Sequence, residues 1–395
     1  ILVNAIFTLY AAKTLCQSPD ISLTAMGLIP VAIIFGWLVY RKNFNVTATT
    51  AGALIIFVLL IIFSNKFPIQ YSAETWAMVL LIYAFFASVL PVNFLLQPRD
   101  YLSGFLLYSG IAVAVIGILV FNTSLKVSDD ITLAATQTST AHMWPILFIT
   151  VACGAISGFH TLIASGTTSK QIARETHALP IGYGAMLVEG LLAVIALITV
   201  SAAISNNSDA ASLVKNPIAT FAAGFGKITS AFMGGRSRHG ATFAILILNS
   251  FILTTLDTSV RITRYLIEEL VGKFNKYLIS LIVVIVSGLL AFSGEGEKIW
   301  PVFGAANQLV AALALMVITM WLVSKNKKHI FTLLPALFMF VTTIAGLIIK
   351  AKDFWNVKKP VMAFIPLLLS ALAIYAATEF ARVYFSSITK KKGAV

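Results

Sequence analysis

Charge is what this sequence has least of: 11% of its 395 residues are Asp, Glu, Lys or Arg, against 59% hydrophobic ones. A soluble domain of that composition would cover its surface with apolar side chains and precipitate, so a water-exposed globular fold is excluded. Cysteine is equally scarce. Cys16 and Cys153 both lie in or beside apolar segments and offer neither a disulfide framework nor a metal spacing. Five scattered histidines do not fill that gap, so no metal and no cofactor is expected. No stretch is long and polar enough for the output domain of a nutrient sensor. No G-x-S-x-G elbow or orienting acid marks the nucleophile of a membrane-embedded enzyme either.

Acidic residues are outnumbered 15 to 28, giving a formal charge of +13. That excess would suit nucleic acid if it formed a basic arm or an aromatic-interleaved patch, and it forms neither. The basic residues read as short loops between apolar runs, which makes the lipid bilayer the expected partner and nucleic acid an excluded one.

What the chain does have is apolar runs near the 20 residues that a bilayer core requires. Complete spans are expected at 22–40, 49–63, 75–95, 102–121, 143–163, 180–204, 240–256, 277–293, 301–323, 330–349 and 361–381, about eleven in all, after a remnant at 1–12. The opening Ile-Leu-Val-Asn has no methionine, charged n-region or cleavage site, so the start reads as truncated rather than as a signal peptide. Residues 1–395 read as one all-α transmembrane domain, with 205–239 extramembrane or re-entrant. Within it, 217–233 is less apolar, contains Lys227 and reads as an interfacial helix. Placing 41–48, 96–101, 164–179, 257–276, 324–329 and 382–395 on one side puts 16 of the 28 basic residues there, and that side is taken as cytoplasmic.

The stretch 152–190 organises the rest. An apolar run enters it and meets Gly154, Ser157, Gly158 and His160, then Ser165-Gly166-Thr167-Thr168, a polar patch, Pro180 and a second apolar run carrying Glu189. Irregular backbone at membrane depth is tolerated where it lines a cavity or is buried in protein, and so it marks a ligand or ion path. Glu189 lies too deep to reach the interface, which makes it a proton- or cation-coupling group, an amine contact, or a carboxylate bonded to a neighbouring helix. His160 is either a proton relay or a hydrogen-bonded interior histidine. The turn at Thr167 offers amides and hydroxyls to an anion, or simply ends a helix.

Asp257 closes the 240–256 run, with Arg261 and Arg264 four and seven residues on. Asp257 and Arg261 could form an i,i+4 pair, or Arg261 could hold a substrate carboxylate with its planar fork; a helix end rich in arginine is the plainer alternative. Asn307 and Gln308 sit one turn inside a span that opens with Pro301 and suit hydrogen bonding across helices, as do Asn93 and Asn249.

Five segments together resemble one family: LPVNFLLQPRDYLSGFL (90–106), PILFITVACGAISGFHTLIASGTTSKQIARET (145–176), IGYGAMLVEGLLA (181–193), TTLDTSVRITRYLIEELVG (254–272) and IWPVFGAANQLVAALALM (299–316). The chain is similar to the carbon starvation protein A (CstA) family of bacterial inner-membrane transporters. The resemblance implies a multi-pass helical carrier related to the amino acid–polyamine–organocation superfamily, with broken helices and inverted repeats. It also implies uptake of small peptides or, in some relatives, of pyruvate during carbon limitation, with H⁺ or Na⁺ as the coupling ion. Family members have further membrane segments, with glycine-rich motifs, before the point where this chain starts. The expected path residues are Ser157, Gly158, His160, Thr167, Glu189, Asp257, Arg261 and Asn307. Glu189 and Asp257 are the coupling or amine-binding groups, and Arg261 is a carboxylate partner. A channel is the nearest functional rival, separable by saturable uptake and counterflow.

Overall fold

The structure, a computed structural model, describes residues 1–120, 143–204, 216–232, 235, 237–272, 275–293 and 296–392. The described residues are helical and divide into two compact units, each built from two stretches of chain: 1–138 with 191–296, and 139–190 with 297–395. The expected 205–239 segment falls partly outside the described residues, since 205–215 are not among them.

The first unit contains α1 (Leu2–Gln17), α2 (Ser22–Lys42), α3 (Val46–Lys66), α4 (Ala73–Val89) and α5 (Leu96–Val120). The second contributes α6 (Phe148–Ala155), α7 (Gly158–Gly166) and the start of α8 (Ala178–Ile204), whose later half belongs to the first unit. The first unit then adds α9 (Pro217–Thr229), α10 (Ser237–Val271) and α11 (Lys276–Ala291), and the second α12 (Gly296–Ser324), α13 (Ile330–Asn356) and α14 (Pro360–Lys392). Among the described residues eight helices are long and apolar enough to cross a membrane, while α4 and α11 are apolar but shorter.

Side-chain caps start several of these helices. Asn45 accepts from the amides of Thr47 and Ala48, Ser72 from Thr75, Asn216 from Ala219 and Asn275 from Tyr277. Each cap satisfies donors that the first helical turn would otherwise leave without a partner in the protein. Asn43 ends α2 in the left-handed region at φ 53°, a conformation that asparagine tolerates.

In the first unit α10 is the central helix, packed on α1, α4, α5, α9 and α11. Small and branched residues make the core: Ala11, Ala12 and Leu15 of α1, Ala77, Leu80 and Ala84 of α4, Leu253, Leu256 and Val260 of α10, and Val283 of α11. Without a hydrophobic drive between helices in lipid, small residues that admit close backbone approach are what pack such a bundle. Gly226 and Gly240 show this where α9 meets α10, because a Cβ on Gly240 would run into the Gly226 Cα and the Thr229 hydroxyl. In the second unit Ile149, Ala305 and Leu347 form a core between α6, α12 and α13. α3 presents Ile55, Ile56, Val58, Leu59 and Ile62 outward, the pattern of a helix facing acyl chains.

Three of the element boundaries that differ from the sequence reading bear on the site, each for a physical reason. The run expected at 240–256 continues as one helix to Val271, because Asp257, Arg261 and Arg264 are buried and partnered rather than solvated. The run expected from 102 starts at Leu96, with Pro98 in its first turn, where a missing amide costs nothing. The span at 143–163 is two short helices with a break at Ile156 and Ser157.

Candidate functional site

Both units hold buried or partly buried polar groups among their described residues. In the first, Asp257 sits mid-helix on α10 with 1% of its surface exposed. It forms an ion pair with Arg99 of α5, itself fully buried. Tyr83 of α4 links the two: its hydroxyl donates to Asp257 Oδ2 at 2.5 Å and accepts from Arg99 Nη1 at 2.7 Å. Neither charge could stay in such a place alone, and removing one partner of a buried pair costs about 3–5 kcal/mol. The valences are not all used. Asp257 Oδ1, and Nε and Nη2 of Arg99, are buried with no hydrogen-bond partner.

α10 carries this cluster in a buried polar stripe at helical spacing, running from Asn249 and Ser250 through Asp257 to Arg261 and Arg264. Ser250 shares a 3.0 Å hydrogen bond with Ser103 of α5. Arg261 does not pair with Asp257. Its Nη2 donates to the carbonyls of Ala87 and Leu90, where α4 ends, so it neutralises orphaned carbonyls and the negative end of the helix dipole. Arg264 instead pairs with Glu268 at 3.0 Å. Arg99, Arg261 and Arg264, counted above as loop charges that set orientation, are thus all interior.

In the second unit the helix break is built around Ser157. Its extended backbone (φ −107°, ψ 123°) interrupts the helix, and its hydroxyl caps α7 by accepting from the His160 amide at 3.3 Å. Asn307 of α12 completes the repair, with Oδ1 accepting the Phe159 amide at 2.7 Å and its amide group 3.2 Å from the Ser157 hydroxyl. Gly158 is required by the same approach, since a Cβ there would meet the Asn307 carbonyl, the Val310 Cβ and the Ala311 amide.

His160 and Glu189, picked out separately in the sequence, come together: Nδ1 lies 3.7 Å from a Glu189 carboxylate oxygen, with the two side chains 51% and 36% exposed. An exposed pair at that distance adds little stability, so packing does not explain why an acid occupies this apolar helix. Thr167 ends α7, and its hydroxyl donates to the Ile163 carbonyl at 2.7 Å, which is the helix-ending role. The neighbouring Ser165 and Ser169 hydroxyls also serve carbonyls of their own chain segment.

Sequence reasoning missed Tyr83, one aromatic residue among many in an apolar run, and Arg99. In the motif QPRD it reads as a loop cation before an apolar run, and its charge was absorbed by the inside-positive count. Pro98 was the available signal, because proline in a first turn places the helix start upstream and Arg99 within the membrane helix.

The family model described as "Carbon starvation protein CstA" matches residues 1–212 and 201–346. The "Peptide transporter CstA" of Campylobacter jejuni is 32% identical over 88% of this chain and 60% of its own length. That of Bacillus subtilis is 30% identical over 90% of the chain and 70% of its own. The "Pyruvate/proton symporter BtsT" of Escherichia coli is 30% identical over 89% and 62% respectively. The chain therefore spans about 60% of the length of several of the curated relatives that it matches. No solved structure matches it. With eight membrane-length helices among its described residues and a family model that covers most of its length, this multi-pass membrane protein belongs to the carbon starvation protein CstA family.

Proposed function

We propose that this chain is the carrier domain of a secondary transporter of the bacterial inner membrane, importing small peptides under carbon starvation with proton coupling. The observation that carries the reading is the buried Arg99–Asp257–Tyr83 cluster. Ionisable residues inside a bilayer are costly, and where they persist they mark ion or substrate pathways. The broken helix at Ser157 and Gly158, held by Asn307, supports it as the kind of discontinuous element from which transporters build binding sites. We assign His160, Glu189 and Thr167 to the path along this broken helix in the second unit, with Glu189 as a proton-coupling group. In this reading the chain itself supplies about eleven spans and a remnant at its start, within the inverted-repeat architecture of the amino acid–polyamine–organocation superfamily. It is a transporter and not an enzyme, in line with the names of its relatives.

A second reading, a symporter of pyruvate or another small carboxylate, is favoured by the relative named for pyruvate and protons and by the unused donors of Arg99. Uptake of labelled pyruvate into proteoliposomes under an imposed pH gradient, with and without excess di- and tripeptides, tests both. Uptake of peptides with pyruvate inert supports the first reading, and peptide-insensitive pyruvate uptake supports the second. Non-saturable flux without counterflow would make the protein a channel and refute both.

A further inference from the structure

Resting on the transporter reading, we propose that Arg99 is the substrate-carboxylate site and Asp257 the proton site bound to it, each ligand making room for the other. The geometry of the guanidinium leads there. Arg99 spends Nη1 on Asp257 and Tyr83, while Nε and Nη2 have no partner. Those two nitrogens form one edge of the planar group, and their parallel N–H bonds match the two oxygens of a carboxylate. On the acid, Oδ2 is occupied by Arg99 and Tyr83, and Oδ1 is free to accept a proton.

Charge balance couples the two events. The pair as it stands is neutral. A proton on Asp257 alone leaves a net buried cation, and a carboxylate on Arg99 alone leaves a net buried anion; both are strongly unfavourable in an interior of low dielectric. Proton and carboxylate together restore neutrality, so each raises the affinity for the other by an equal factor. No covalent bond changes: the proton moves from water to Oδ1, the Arg99–Asp257 attraction falls, and the guanidinium edge takes the substrate. One proton accompanies each carboxylate, and transport of a monocarboxylate through this site is electroneutral. The buried state of the edge makes this an occluded form that substrate reaches when one side opens.

The charged and titratable groups acting on Asp257 are Tyr83 of α4, Arg99 and Asp100 of α5, and Arg261 of its own helix. The buried faces of α1 and α11 carry apolar and neutral polar side chains, Ala11, Ala12, Leu15, Asn4 and Thr8 on one and Ile279, Val283 and Ser280 on the other.

The test uses the full-length protein in proteoliposomes, with labelled pyruvate and a labelled dipeptide as probes. For the wild type, half-saturation in counterflow should fall about tenfold per pH unit on acidification above the pH at which Asp257 titrates. Asp257→Asn should still exchange the carboxylate, but independently of pH and without accumulation under a pH gradient. Arg99→Lys, which keeps the charge and loses the two-pronged edge, should weaken half-saturation at least tenfold. Competition by a dipeptide but not by its C-terminal amide identifies a peptide carboxylate as the ligand, and competition by pyruvate alone identifies an oxo acid. Gradient-driven accumulation by Asp257→Asn, or unchanged affinity in Arg99→Lys, overturns the proposal while leaving the transporter reading intact. Absence of saturable flux in the wild type overturns both. If Asp257→Asn does not fold, the charge-neutral pair Arg99→Gln with Asp257→Asn replaces it, and carboxylate exchange at the wild-type rate in that protein is equally fatal.

Discussion

Asn307→Ala is the sharpest test of how the broken helix is held. The substitution removes the acceptor 2.7 Å from the Phe159 amide and the amide group 3.2 Å from the Ser157 hydroxyl, at a side chain only 6% exposed. An orphaned buried donor costs about 1–3 kcal/mol. A loss near 2 kcal/mol in the local opening equilibrium raises amide exchange by about 30-fold, at 1.4 kcal/mol per decade. Ser157→Ala leaves the Phe159 bond but removes the cap on the His160 amide, at a cost of about 1 kcal/mol. The double variant should lose less than the two singles added, by about 0.5–1 kcal/mol, because both singles delete the same Ser157–Asn307 contact. Hydrogen exchange by mass spectrometry over 157–166, in nanodiscs, reads all three, with global unfolding followed in parallel. Exchange in Asn307→Ala within threefold of wild type, or strictly additive costs, would mean that something other than Asn307 closes the break.

Three further outcomes follow from neighbouring geometry. Gly158→Ala should destabilise the protein by about 1–3 kcal/mol, since the new methyl meets backbone atoms of α12 that cannot rotate away; an unchanged unfolding midpoint would show that the helices separate freely there. Arg261→Met should cost about 2–4 kcal/mol by stripping donors from the Ala87 and Leu90 carbonyls, yet leave carboxylate half-saturation within threefold of wild type; a tenfold weaker affinity at unchanged stability would return Arg261 to the substrate. Glu189→Gln should change stability by under about 0.5 kcal/mol, because its histidine partner is half exposed, while slowing uptake driven by a pH gradient; full uptake would remove Glu189 from the proton path.

Much of this protein is local in origin, and that part was legible in the chain. Runs of apolar residues dictate membrane helices because a backbone in lipid must bond to itself, and no neighbour needs to be known for that. That the helix through 152–169 is irregular was also visible in its glycines and hydroxyls, but not that Ser157 marks the break and caps the helix after it. Asn307 could be marked as a residue that bonds across helices, though not to which one. The charged residues were misjudged for the opposite reason. Hydropathy falls at Pro98-Arg99-Asp100 and again at Asp257 and Arg261, so both spans were ended there and the arginines left to loops. Whether a charge belongs inside a membrane depends on the partner that neutralises it, and Arg99 meets Asp257 across 158 positions of sequence. The pairing of Arg261 with the end of α4, and of His160 with Glu189, is of the same kind. Composition determined that this chain lives in a bilayer. Only the tertiary structure decided which of its few charges face one another, because the energy of a buried charge is a property of the pair and not of the residue.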